Sequence, residues 1–487
     1  MMDGRTDVPD LEGFRWSLPL VPKNGEMTSP VPLEILKPCD IRGATPKPLG
    51  PAQAERIGLS LGTLLKTSPD RNIKAVVGQD VRLSGETLKK ALVQGLLNTG
   101  LKVVDIGIVS TPLLAFAART SKAGVGVMIT ASHNPPDHNG FKFFLGGEPA
   151  STAWIERLYK VLDGETFKKG AGILEKKDFF PDYRNALVNS IAQNFQGFKL
   201  VIDPGNGANT LTAPPVLEAL HFDLEVMNGK PDGRFPGRGA DSSTPEALEA
   251  LGAMVRKTRA RLGVAFDGDG DRVSFVDEKG REVPNDAILC LFAGEILKKQ
   301  KNLKVVYDGK CADWVETRVE EAGGKALLER SGHTFIHGRM IKEKALLGGE
   351  SSGHFFLPGD FTGDALYAAL RLLKMLKESG GTLAQWFDAF PPRVSTHDIK
   401  LKLPPEQVTS LYEGLRGRAQ DMGAKVSLLD GVRAVFEEGW GIVRRSVTEP
   451  VISCRFEAPD RKKLGWLVKE WFRDHPEVLR MIQEKLK

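Results

Sequence analysis

The sequence predicts an α/β fold built as several domains, closed by a smaller α+β unit at the C-terminus. Three observations carry this. The chain has 487 residues, whereas a single hydrophobic core stops growing at about 250–300. Short β-branched runs alternate with longer helical patterns, as layered strands and helices require. After the PPR segment at 391–393 the character changes, and the remainder reads as a smaller unit ending in a helix over 460–472 and a short basic tail.

Taken in order, residues 1–29 are polar, broken by Pro and Gly, and read as a poorly ordered extension. KAVVG (74–78), LKVVDIG (101–107) and GVGVMIT (124–130) read as buried strands. Between the first two lies a helix over 87–100, with Leu88, Ala91, Leu92 and Leu96 on one face. The pattern restarts at FKLVIDPGNG (198–207), a strand entering a Gly-rich turn, followed by a helix from 213. Residues 261–276 read as strand, acidic loop, strand, and KVVYDGK (304–310) opens another strand and turn. In 362–377, Leu366, Ala369, Leu370, Leu373 and Leu376 form one apolar stripe of an amphipathic helix.

Bulk composition excludes several classes. A hydrophobic fraction of 41% and a charged fraction of 26% are those of a soluble globular protein. A net charge of +5, from 67 basic and 62 acidic residues, is too balanced for a nucleic-acid partner. Cys39, Cys290, Cys311 and Cys454 are scattered, with no disulfide framework or cysteine metal cluster. No apolar run approaches the ~18 residues of a membrane span, and the N-terminus lacks the apolar centre of a signal peptide. A cytoplasmic location with no membrane partner is the default expectation.

Four loops stand out, each where a strand pattern ends, the place where open α/β sheets bind ligands. In TASHNPPDHNGFK (130–142), Ser132 follows an apolar strand, and Pro135 and Pro136 stiffen the turn. A hydroxyl so held can act as a nucleophile when a metal or base activates it. On composition alone, a rigid polar loop is the simpler reading. No GxSxG elbow surrounds it, which disfavours a serine hydrolase. In DGDGDR (267–272), Asp267, Asp269 and Asp271 alternate with glycines and converge on a hard cation such as Mg²⁺ or Ca²⁺. Glu278 completes an EF-hand-like spacing, but Arg272 stands where that loop needs Gly, and the flanks are strand-like. In GGESSGH (348–354), Glu350 is suited to gripping adjacent sugar hydroxyls. In RRSVTEP (444–450), Arg444 with Ser446 and Thr448 suits a phosphate. Alone, the third reads equally well as an ordinary turn, and the fourth reads better as a surface turn. No complete GxGxxG or GxxxxGK[ST] occurs, so a nucleotide-dependent kinase or dehydrogenase has no support.

The four loops in this order, with CDIRG (39–43), GQDVRLSG (78–85), DPGNGA (203–208), PDGRFP (231–236), YDGKC (307–311) and SGHTFI (331–336), resemble the α-D-phosphohexomutase superfamily, nearest its phosphomannomutase/phosphoglucomutase branch. The resemblance spans about residues 30–475. It implies three similar mixed α/β domains (30–177, 178–281, 282–393) and a smaller α+β domain (394–487) around a central cleft, each supplying one loop. It implies a phosphoserine at Ser132 and Mg²⁺ held by Ser132, Asp267, Asp269 and Asp271. Arg42, His133 and Lys142 match catalytic positions near the reacting hydroxyl. Arg272, Lys310, His333, Glu350, Ser352, His354, Arg444, Ser446 and Thr448 match substrate-binding positions. The implied activity interconverts hexose 1- and 6-phosphates through a 1,6-bisphosphate that also serves as activator, in a monomer or dimer. His133, Lys142 and His333 stand open as the group that takes the hydroxyl proton. Four positions depart from the pattern: Cys39, Gln79, His138 and Val447. The rival expectations are a phosphoglucosamine mutase, a silent sugar-phosphate sensor and a metal-dependent hydrolase.

Overall fold

The computed structural model of the chain describes residues 31–68, 72–446 and 451–486. The extension read at 1–29 lies outside the described residues, as does Thr448. The described residues form four separate sheets of seven, five, four and six strands.

In the first sheet Lys74–Gln79 lies centrally, parallel to both Lys102–Ile108 and Val125–Ile129. These are the apolar runs of the sequence, buried on both faces as parallel strands demand. Helices Pro51–Thr67 and Gly85–Asn98 cover one face. They cross at Gly58 and Gly95, where a Cβ on either would collide with a backbone carbonyl of the other helix. His138–Leu145 then returns antiparallel to Val125–Ile129.

The second and third sheets repeat this arrangement. Leu262–Phe266 runs parallel to Lys199–Asp203, and Val273–Val276 returns antiparallel beside it. Leu347–Gly349 runs parallel to Lys304–Asp308, and Phe355–Phe356 returns antiparallel. Three of the four loops marked in the sequence, around Ser132, Asp269 and Glu350, therefore occupy one topological position. Each joins a parallel strand to the antiparallel strand that follows it. The three units are alike in topology without detectable sequence repetition.

The fourth sheet is wholly antiparallel, built on Val432–Phe436, Gly439–Arg445 and Ile452–Ala458. Helix Arg461–Trp471 packs on it. The basic tail expected beyond that helix is itself a helix, Pro476–Lys485. Pro476 sets its first turn, and Ile482 is buried in the C-terminal core with Leu479 and Val478 against it. No helix among the described residues is long and apolar enough to cross a membrane.

The apolar core explains how the units are joined. One cluster runs through the first three, from Val76 and Phe116 through Tyr183 and Phe266 to Phe292 and Leu366. The fourth unit has its own core around Leu415, Phe456 and Trp471. It meets the third through the small group Ala312, Trp440 and Ile442 and through polar contacts. Arg433 donates to the Gly309 and Cys311 carbonyls, and Lys310 pairs with Asp398 at 2.7 Å. A large apolar interface resists relative motion, whereas a small polar one permits it.

Asp364 is one polar rivet within the shared core. It caps helix Ala365–Ser379 by accepting the Tyr367 N–H (3.0 Å), and its other oxygen accepts the Tyr183 hydroxyl (2.7 Å). Burial pushes its carboxyl up to about 6. A carboxyl raised on folding favours the folded state while protonated and loses that advantage as pH rises. Relative to Asp364→Asn, which is neutral throughout, the wild type should lose on the order of 2–3 kcal/mol of unfolding free energy between pH 4 and 6.5. Paired denaturant melts across that range check this; a constant difference would place the Asp364 carboxyl in the ordinary range.

Candidate active site

The serine loop leaves the C-terminal end of Val125–Ile129, an interior strand of the first sheet. Thr130 Oγ1 donates to Asp80 Oδ2 (2.7 Å) and accepts the Ser132 N–H (2.8 Å). Ser132 has φ +52°, the left-handed region that non-glycine residues avoid. That turn aims its hydroxyl at the second unit. Ser132 Oγ donates to Asp267 Oδ2 at 2.7 Å, and both residues are fully buried.

The acidic loop is held in place from both units. Asp267 Oδ1 accepts the N–H groups of Gly270 and Arg272. Thr111, at the start of a helix in the first unit, donates its N–H to the Asp269 carbonyl (2.8 Å) and its hydroxyl to Asp269 Oδ2 (2.6 Å). Gly268 lies so close to the serine loop that a Cβ there would sit 2.6 Å from the Ser132 carbonyl oxygen. Arg238 fastens the base of the loop, with contacts to Asp203 and the Phe266 carbonyl.

The three aspartates each bring a ligand oxygen within 4.8 Å of the others, and all are buried. Burial, then the charges of Asp269 and Asp271, pushes the Asp267 carboxyl well above its usual range. Burial opposes ionisation of Asp271 as well, but Lys142 and His354 outweigh it and hold that carboxyl well below. Asp269 Oδ1 and Asp271 Oδ1 are buried with no hydrogen-bond partner among the described residues. Unpartnered, buried, convergent carboxylate oxygens fit a hard divalent cation.

The cations nearby come from two units. Lys142 Nζ contacts Asp269 Oδ2 (2.8 Å) and Asp271 Oδ2 (2.5 Å). Burial favours its neutral form, yet the two carboxylates outweigh this and raise it above the ordinary lysine range. Arg42 forks onto Asp40 and donates to the Ala131 carbonyl and Asn134 Oδ1. His133 lies between Ser132 Oγ (Nδ1, 3.4 Å) and Arg272 Nη1 (Nε2, 3.5 Å). Burial, then Arg272 and Arg42, drives its pKa well below the usual histidine value. His333 is lowered likewise by burial, Lys142 and His354. Both are neutral imidazoles at physiological pH, whereas Lys142 keeps its proton while paired.

The third unit completes one wall. His354 Nδ1 lies 3.7 Å from Asp271 Oδ1, and its ring stacks on His333 with centroids 5.8 Å apart. Val273 donates to the Gly353 carbonyl at 3.1 Å. Glu350 Oε1 accepts the Gly332 N–H at 2.5 Å, and burial raises its pKa. Ser352 is half-buried in the same turn. Asp308 organises this wall, accepting from Ser331 Oγ (2.7 Å), the Ser351 N–H (3.0 Å) and Cys311 Sγ (3.0 Å).

A second cluster spans the third and fourth units. Arg444 Nε meets Asp430 Oδ2 at 2.6 Å, and the same oxygen accepts the Ser331 N–H at 2.9 Å. Arg444 Nη2 is buried with no hydrogen-bond partner among the described residues. Ser446 donates its N–H to the Val451 carbonyl, and Lys310 pairs with Asp398. Thus Ser132, Arg42, His133, Lys142, Arg272, His333, Glu350, His354 and the aspartates form one connected group. Lys310, Arg444 and Ser446 belong to the other. Sequence reasoning did not single out Thr111, Arg238, Asp308, Asp398 or Asp430. Of these only Asp308 carried a signal, as the acidic residue of YDGK at a strand end.

A buried serine hydroxyl bonded to a carboxylate, a carboxylate triad and converging cations meet at loops from separate α/β units. Residues 34–169, 178–280, 284–394 and 401–473 match, in order, phosphoglucomutase/phosphomannomutase alpha/beta/alpha domains I, II and III and the C-terminal domain. The chain is 36% identical over 438 residues to the phosphomannomutase/phosphoglucomutase of Pseudomonas aeruginosa, covering 89% of this chain and 94% of that one. It is 35% identical over 431 residues to the phosphoglucomutase of Neisseria gonorrhoeae, covering 87% and 93%. The crystal structure of a phosphoglucomutase/phosphomannomutase family protein from Burkholderia thailandensis superposes with a TM-score of 0.83 at 34% identity, covering 92% of this chain and 98% of that one. The chain belongs to the phosphoglucomutase/phosphomannomutase family of the α-D-phosphohexomutase superfamily, whose members are enzymes.

The triad predicts metal-dependent stability. Mg²⁺ at ~100 times its dissociation constant should stabilise the wild type by about 2.7 kcal/mol. Asp269→Asn should lose most of that gain at the same Mg²⁺ concentration. Thermal melts with and without Mg²⁺ read this directly, and equal shifts in both proteins would place the cation elsewhere.

Proposed function

We propose that this enzyme is a phosphomannomutase/phosphoglucomutase that interconverts hexose 1-phosphates and 6-phosphates through a phosphoryl group carried on Ser132. The observation that carries the reading is the Ser132 hydroxyl, turned by its left-handed backbone onto Asp267 at 2.7 Å within the buried triad. The domains are taken as 30–177, 178–281, 282–393 and 394–487; the first, third and fourth sheets fall within their ranges, while the edge strand of the second, Glu282–Val283, runs just past 281.

Phosphoryl transfer asks little covalent help of a protein; it asks for in-line positioning and stabilisation of spread negative charge. A phosphoserine adds about −1.5 to −2 charge, so the site must offset more than the aspartates alone. Mg²⁺ held by Asp267, Asp269, Asp271 and the Ser132 phosphate would supply a dication to the transferring oxygens. Arg42 and Arg272 supply permanent charge on either side of His133. Lys142 stays protonated between Asp269 and Asp271, so in this arrangement it serves as a charge. His133 and His333 are the neutral groups able to accept the proton that leaves the attacking sugar hydroxyl.

The substrate's far phosphate is assigned to Arg444, Ser446 and Thr448. The unpartnered, buried Nη2 of Arg444 supports this, since a phosphate oxygen gives it an acceptor. Lys310 joins them once it leaves Asp398. Glu350 keeps one oxygen for sugar hydroxyls, with Ser352 and His354 beside it. The hexose 1,6-bisphosphate formed by the first transfer turns end for end, and its other phosphate returns to Ser132. The small polar interface of the fourth unit suits the opening that this rotation needs.

Mannose 1-phosphate and glucose 1-phosphate should both be converted to their 6-phosphates with Mg²⁺ and a trace of glucose 1,6-bisphosphate. Ser132→Ala should lose at least about a thousand-fold in kcat with its fold retained. Conversion of glucosamine 6-phosphate alone would reassign the substrate, and substantial turnover by Ser132→Ala would remove Ser132 from the reaction.

A further inference from the structure

The serine loop has a wiring problem of its own. Pro135 and Pro136 have no N–H, and Ser132 sits at a positive φ, so the loop cannot satisfy its carbonyls with a regular ladder. Those carbonyls turn inward on one buried side chain, Arg82, which is 2% exposed.

All five guanidinium N–H groups of Arg82 are used. Nη2 donates to the carbonyls of Ser132 (2.8 Å) and Asn134 (2.6 Å). Nη1 donates to those of Pro135 (2.5 Å) and His138 (2.8 Å). Nε donates to Asp80 Oδ2 at 3.2 Å. Asp80 also takes the Thr130 hydroxyl, whose oxygen holds the Ser132 N–H. Both peptide groups flanking the Ser132 side chain are therefore fixed by one Asp80–Arg82 unit. The second unit caps it. The ring of Phe235 lies 5.1 Å from Arg82 Cζ. Gly233 packs so closely that a Cβ there would sit 2.7 Å from the Leu83 nitrogen. Phe235 also abuts Gly268 of the acidic loop, where an added Cβ would come within 3.3 Å of its Cε1.

We propose that Arg82 is the positioning residue of the nucleophile: its planar five-donor fork, capped by Phe235, holds Ser132 in its left-handed turn and so sets the hydroxyl on Asp267. The proposal rests on the assignment of Ser132 as phosphoryl carrier. It adds that the carrier's orientation is set by a side chain that bonds to the carrier's backbone and to none of the three aspartates of the triad. Lysine cannot replace it, because a compact ammonium has three donors and no fork.

Arg82→Lys and Arg82→Ala, assayed as full-length protein, test it. Both should lower kcat about 100-fold, as misplacing a reacting group by about an ångström does, with KM for glucose 1-phosphate nearly unchanged. Guanidinium chloride at low millimolar concentration should restore part of kcat to Arg82→Ala and none to Arg82→Lys. A crystal structure of Arg82→Lys should show Ser132 out of the left-handed region and its Oγ away from Asp267. That structural readout does not depend on which sugar phosphate the enzyme turns over. It therefore separates failure of the positioning role from failure of the proposed function. Should Arg82→Ala not fold, Arg82→Lys and its structure carry the test. A folded Arg82→Lys with the Ser132–Asp267 contact intact and wild-type kcat overturns the proposal, as does a loss confined to KM.

Discussion

Three carboxylates buried side by side repel one another, and this site exists only because other groups offset that repulsion. Lys142 from the first unit, Arg272 from the second and His354 from the third all face the triad. The Ser132 hydroxyl completes the ring on Asp267. Only Ser132 and Lys142 come from one segment; Arg272 and His354 come from other units. The charge problem is therefore also an assembly problem: the triad is stable only where three units meet, and the nucleophile is presented only where the triad is. Asp269 Oδ1 is left buried with no hydrogen-bond partner among the described residues, and Asp271 Oδ1 faces His354 Nδ1 at 3.7 Å.

The architecture answers that demand by repetition. Each α/β unit ends a parallel strand, makes a loop and returns antiparallel, and the three loops carry a hydroxyl, three carboxylates and the Glu350 carboxylate. A continuous apolar core makes the three units one body, which keeps hydrogen bonds near 2.7 Å between side chains on different sheets. The fourth unit is treated differently. It has a separate core and only a small apolar group at its seam with the third unit, and the Lys310–Asp398 and Arg444–Asp430 pairs hold one cation from each side of that seam. Both pairs lie largely out of solvent, where a charge left without its partner is costly.

Much of this was legible before any coordinates. Strands near 74, 102 and 125 and the helix over 365–379 follow from apolar periodicity, which is local information. Ser132 and Asp267, Asp269 and Asp271 stood out because rigid, glycine- or proline-bearing turns with clustered oxygens are rare. What stayed hidden was non-local. Lys142 read as a neighbour of the reacting hydroxyl, while its ion pairs with Asp269 and Asp271 depend on how two sheets meet. Asp398 and Asp430 lie in segments with no motif character, and their meaning comes only from Lys310 and Arg444 opposite. Arg82 sat in the segment GQDVRLSG, but nothing in that string says that four of its five donors point at carbonyls some fifty residues away. The C-terminal tail read as short and basic because its charges dominate its composition, whereas Ile482, with Val478 and Leu479 beside it, anchors one face of a short helix.

The central claim is that a phosphoryl group travels between Ser132 and the sugar without passing through water. A single-turnover experiment tests it most directly. The protein, labelled with radioactive phosphate on Ser132 and freed of excess donor, is mixed with one equivalent of glucose 1-phosphate and Mg²⁺ and quenched over time. Label should leave Ser132 and appear first in glucose 1,6-bisphosphate and then in glucose 6-phosphate, with almost none as inorganic phosphate. Label released as inorganic phosphate at the same rate, or retained on the protein while sugar is converted, would contradict the phosphoserine route.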